Sequence, residues 1–166
     1  MKLCLRRAIL RIATCLSGLA IFGPLPVSAQ WPFGSAPVTP QAQRNALTAL
    51  RSQIKFFQNT TRTAPNYGTA AYDNVLGQFE TLRAVYNGLK QTLNARQLDK
   101  GANSLAELDA GLEILNEAFT NCQNDFAAGR EARQAIRSMC QALREGSQVW
   151  AQELEKICSQ LRVGFG

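Results

Sequence analysis

Between Leu105 and Leu161 the apolar residues recur in alternating steps of three and four, and no other feature constrains the fold as much. The first series is Leu105, Leu108, Leu112, Leu115, Phe119, Cys122 and Phe126. The second is Ile136, Cys140, Leu143, Ser147, Trp150, Leu154 and Ile157, with Leu161 one step further. Each is the narrow coiled-coil-like seam of a packed helix. Paired as antiparallel helices pair, Phe126 meets Ile136, Cys122 meets Cys140, Leu115 meets Ser147 and Leu112 meets Trp150. The seams are mirror images about Glu131, which predicts an αα-hairpin with Cys122 and Cys140 at one level.

The same rule extends toward the N-terminus. Thr39-Pro40 offers an N-cap and a proline at the first helical position, predicting a helix through Leu47, Leu50, Ile54 and Phe57 to about Arg62. Residues 63–68 have the composition of a turn. A second helix, from about Thr69 to Arg96, carries Tyr72, Leu76, Phe79, Leu82, Tyr86, Leu89 and Leu93 on its seam. It mirrors the first helix about Asn66, and mirrors the third about Asp99, pairing Phe79 with Phe119 and Tyr72 with Phe126. Asp99 to Asn103 reads as the connection, and Ser104 with Glu107 as a capping box opening helix three. Gly129 is placed to end that helix in a left-handed conformation. Helix four then runs from about Arg130 to Arg162, and 163–166 is a tail. The expectation is all-α: an up-down-up-down four-helix bundle over 40–162.

What precedes it is of another kind. Lys2, Arg6, Arg7 and Arg11, the apolar run to Ile21, and Val27-Ser28-Ala29 form the pattern of a cleaved signal peptide over 1–29, with residues 30–39 as an irregular arm carrying Trp31 and Phe33. Arg6-Arg7 also loosely resembles a twin-arginine signal. The apolar run is too short for a permanent membrane span. Four of the 18 basic residues fall in this leader, leaving 14 against 12 acidic residues, a net of +2. That balance, with no aromatics interleaved along a basic stripe, gives no footing for nucleic acid. The predicted location is the periplasm or the medium.

Cleavage also reduces five cysteines to three. In an oxidising compartment Cys122 and Cys140 are expected to form a disulfide, closing a loop of about 19 residues and stabilising the fold by roughly 3 kcal/mol. Cys158 is the odd thiol, either free or intermolecular. The chain has no histidine, which removes histidine-dependent triads, the Glu-x-x-His di-iron pattern and C-x-x-C-H haem attachment. Asp109, Glu113 and Glu117 form a carboxylate stripe that a hard cation could bridge; Glu117 with Arg144 and Asp125 with Arg137 are the alternative, inter-helix pairings. No cofactor and no metal are expected. Polar Ser147 opposite Leu115, beside Trp150, leaves room for a small apolar ligand.

Ala29-Gln30-Trp31, followed by Gln43-Arg44-Asn45-Ala46-Leu47-Thr48-Ala49-Leu50-Arg51 opening a long helix, resembles the start of TrbJ-type conjugal-transfer proteins. The resemblance implies an exported helical subunit, a minor component of a type IV secretion apparatus. It carries over no catalytic residue. The residues themselves point to a non-enzymatic binding or assembly subunit whose partner is another protein or a second copy, engaged through Cys158 or the 30–39 arm. A ligand carrier or sensor is a second class.

Overall fold

The computed structural model describes residues 39–66 and 68–165; the expected leader, residues 30–38 of the arm, Tyr67 and Gly166 lie outside the described residues. What is described is all-helical. Helix α1 spans Pro40–Thr63 and runs into a short 3-10 turn, Ala64–Asn66. Helix α2 spans Ala70–Gln91, α3 Ala95–Ala127 and α4 Ala132–Gln160. None of these helices is long and apolar enough to cross a membrane.

Helix α1 starts where the Thr-Pro pair predicts. Thr39 is extended and its hydroxyl accepts from the Ala42 amide at 3.1 Å, satisfying one of the donors a helix start leaves open. The buried face is Gln43, Leu47, Leu50, Ile54, Phe57 and Thr61. The apolar stripe is therefore continued at both ends by a polar residue in step with it.

Helix α3 begins ten residues earlier than expected, with Asn94 and not Ser104 as its cap. The Asn94 side chain accepts from the Gln97 amide at 2.9 Å, and the Gln97 side chain accepts from the Asn94 amide at 3.0 Å. This reciprocal capping box replaces the predicted one at Ser104 and Glu107. Gly101, read as part of a connection, is buried inside the helix. A Cβ there would stand 2.7 Å from Leu161 Cδ1, so the glycine serves a close helix approach and does not break the helix. Its cost in helix propensity is offset by the packing it admits.

The cross-helix pairs follow the mirrored seams. Phe79 and Phe119 have ring centroids 5.3 Å apart, and Tyr72 and Phe126 6.2 Å. Phe57 meets Phe79 at 6.0 Å, so one aromatic file links α1, α2 and α3. On α4, Trp150 lies against Gly111, where an added Cβ would be 2.8 Å from its ring. Its indole N–H donates to Leu108 O at 2.9 Å. Tyr86 of α2 meets the same indole edge-on at 5.3 Å, closing the core between α2 and α4. Burial is wider than the seams: Ala71, Val75, Ala135 and Met139 are inside, while Leu105 and Phe126 are only partly so.

Both closing ends of the α3–α4 pair use the same device. Gly129, at φ 73, ends α3 with the Arg130 amide donating to Asp125 O and the Gly129 amide to Phe126 O. After α4 the Val163 amide donates to Cys158 O and the Arg162 amide to Ser159 O, with Arg162 itself at φ 51. These are Schellman closures, the second built without glycine. Of the tail expected at 163–166, Val163 is buried and Gly164, at φ 80, packs against Arg44, while Phe165 is exposed.

Candidate functional site

Cys122, Cys140 and Cys158 are all buried and all free thiols, so the bond expected between Cys122 and Cys140 is not formed in this structure. A common level in two helices brings thiols near each other, but oxidation is a separate chemical event. Burial pushes Cys140 up to about 11, with the neighbouring Cys122 charge adding to it. Burial likewise pushes Cys158 up to about 11, with Glu155 adding and Arg51 opposing. Cys122 is raised by burial and then by Asp125. Cys158 is only 6% exposed and offers no surface thiol for a bond to another molecule.

Ser147, Leu115 and Trp150, the expected walls of a ligand cavity, are packed. The Ser147 hydroxyl donates back to Arg144 O at 3.1 Å. Leu115 leans onto Gly146, reaching 2.5 Å from where a Cβ would be, and Trp150 occupies the space over Gly111. The glycines on each helix receive the large side chains of the other, which fills the level that the serine leaves thin.

Two of the three stripe carboxylates, Asp109 and Glu113, are paired, although with a different helix from the one predicted. Arg83 of α2 reaches Glu113 at 2.6 Å and Lys90 reaches Asp109 at 2.7 Å. Asp125 pairs with Arg130 at 3.1 Å and not with Arg137. The aromatic file explains the choice: Arg83 lies over the Phe79 ring and Lys90 over the Tyr86 ring, which aims both cations at α3. Arg83, Asn87, Lys90, Asp109, Leu112 and Glu113 line a shallow groove there. Among the described residues no cluster of three or more His, Cys, Asp or Glu is placed to hold a metal ion.

A second groove, about 210 Å³, runs between α3 and α4 on their outer side. Ala118, Asn121 and Asp125 form one wall, Ala135, Ser138 and Ala142 the other, with Cys122 and Met139 lining it from within. Ile114 continues the first wall four residues before Ala118, and Val149 continues the second two turns after Ala142. Both are large apolar side chains on the surface, 50% and 43% exposed.

Sequence reasoning missed a polar hub at the end of the bundle where the chain terminates. Gln43 is 3% exposed. Its amide nitrogen donates to Thr92 O and to Gln97 Oε1, both at 2.7 Å, and its oxygen accepts from the Gly164 amide at 2.8 Å. Gln97 in turn donates to Leu161 O at 3.1 Å. One glutamine thus ties α1, the α2–α3 junction and the C-terminal segment. The available signal was a polar residue standing four before Leu47, in step with the apolar seam. No family model, curated protein or solved structure matches the chain.

Proposed function

We propose that this chain is an exported up-down-up-down four-helix bundle that works by contact, as a binding or assembly subunit in the periplasm or outside the cell. The order of the cross-helix pairs, Tyr72 with Phe126 and Phe79 with Phe119, supports that topology. The observation that carries the contact reading is apolar surface beside a filled core. Ile114 and Val149 stay half in solvent, at helical spacing from Ala118 and Ala142 of the two groove walls, although Leu115 and Trp150 beside them are buried. The resemblance of the first helix to TrbJ-type conjugal-transfer proteins makes a minor secretion-apparatus component the specific form of this reading. A Cys122–Cys140 disulfide, formed after export, belongs to it as well.

The test is capture from native periplasm or medium with tagged protein, alongside an Ile114→Ser, Val149→Ser double variant. The variant is expected to keep its helical circular dichroism and melting temperature and to lose the captured protein or its own self-association in sedimentation. Equal capture by both forms would reject this groove as the contact surface. A monomeric protein that captures nothing would reject the reading altogether.

A further inference from the structure

We propose that the outer α3–α4 groove takes a basic amphipathic helix of another protein, with its apolar stripe against Ile114 and Val149 and its lysines or arginines against the glutamates beside them. This deepens the contact reading and rests on it, since it names the chemistry of the partner. Helix α3 carries no lysine or arginine from Gly101 to Ala127, and five carboxylates: Glu107, Asp109, Glu113, Glu117 and Asp125. Asp109 and Glu113 are paired with α2 and Asp125 with Arg130, which leaves Glu107 and Glu117 outside the ion pairs among the described residues. Helical spacing sets these two on either side of Ile114, seven residues before it and three after it. On α4, Glu145 and Glu153 stand four residues before and four after Val149. All four glutamates are exposed.

Leu115 packs on Gly146 and Trp150 on Gly111, which fixes the register of the two helices. By that register Glu117 comes level with Glu145 and Glu107 with Glu153, each within one residue. The two apolar side chains are therefore bracketed by two levels of carboxylate about 15 Å apart, at the rise of a helix. Past the Glu117 level the groove continues between Ala118, Ala135, Ser138 and Ala142, whose short side chains let another helix backbone come close. Gln141 donates to Glu145 at 3.0 Å and Lys156 to Glu153 at 3.2 Å. Both are exposed contacts within one helix, of little worth in water, so a partner cation can displace them. A second copy docked face to face through the same groove would set glutamates against glutamates, and such a juxtaposition repels.

The probe is a labelled helical peptide of leucine and lysine, with leucines at i, i+3, i+4 and i+7 and lysines on both flanks of that stripe. Binding is read by fluorescence anisotropy at low and high salt. One control peptide has glutamate for lysine; the other is a scramble of equal charge without the stripe. The protein is expected to bind the lysine peptide about tenfold more tightly than either control, and less tightly as salt rises. Glu117→Gln with Glu145→Gln is expected to weaken that binding about tenfold. Asp73→Asn with Glu80→Gln, which neutralises two exposed carboxylates on α2, is expected to leave it unchanged. Both double variants are expected to keep the wild-type helical circular dichroism. Equal binding of the scramble, or equal loss in the two double variants, would reduce the effect to net charge and overturn the proposal. Preference for the glutamate peptide, or self-association that Ile114→Ser abolishes in sedimentation, would give the groove to another occupant and overturn it as well. Failure to bind any of the peptides, in a protein whose captured partner still depends on Ile114 and Val149, would sink the basic-helix proposal and leave the contact reading standing.

Discussion

At Gln43 one side chain holds together three segments that are far apart in the chain. Its side-chain amide makes hydrogen bonds with Thr92, Gln97 and Gly164, of which Thr92 and Gln97 are half-buried. A buried amide satisfied on both sides contributes modestly, but removing it leaves its partners unpaired, at about 1 to 3 kcal/mol each. Gln43→Leu keeps roughly the volume and takes away the partner of the Gly164 amide and of the Thr92 carbonyl. It is expected to lower stability by about 2 to 4 kcal/mol in urea unfolding, and to speed amide exchange at Val163 and Gly164 before the core opens. A loss no larger than a surface substitution gives would mean that Gln43 does not hold the three segments together. Gly164 is glycine for a related reason: its φ is left-handed and an added Cβ would meet Arg44 at 2.7 Å.

The helices differ in how openly their ends were written. The start of α1 and the end of α3 follow local chemistry, Thr39-Pro40 and Gly129, because a cap needs only its own few residues. The start of α3 was hidden by two equally local signals, Asn94 with Gln97 and Ser104 with Glu107. Distant contacts chose between them: Leu161 fills the space at Gly101, and Gln97 is drawn into the Gln43 hub. Asn94→Ala is therefore expected to cost about 1 kcal/mol, whereas Ser104→Ala, inside the helix, is expected to be neutral or slightly stabilising. Thermal melts of the two variants check this, and the reverse order would return the helix start to Ser104. The candidate site divides similarly. The burial of Ser147 and Trp150 was legible from spacing, while the Arg83–Glu113 and Lys90–Asp109 pairs depended on where the aromatics aim their neighbours.

For the molecule as a whole, the buried thiols set a dependence on alkaline pH. In the reduced protein Cys140 and Cys158 ionise near 9.0 when unfolded, and burial pushes both up to about 11 in the folded state. Between those values the native state holds protons that the unfolded state has released, so stability falls as pH rises through this window. Tyr86, raised mainly by burial and then by Asp109, steepens the fall above its ordinary 10.0. Urea midpoints between pH 8 and about 10.5 are expected to decline, less steeply in Cys158→Ala. An unchanged slope in that variant would mean that Cys158 ionises in the folded protein as freely as in water. The Arg51–Glu155 pair works at the other extreme. The arginine holds Glu155 below its usual 4.5, so the small contribution of this exposed pair is present above that pH and lost as acid protonates the glutamate.

Helical class and the level at which facing seams meet were decided by the sequence alone, because burial on a helix repeats with its turn and each repeat is a local property. The docked C-terminal segment, the glutamine hub and the ion-pair partners were decided only in the tertiary structure. Each depends on atoms that approach within hydrogen-bond or van der Waals distance after the chain has folded back, and spacing along one helix carries no record of what another helix brings to it.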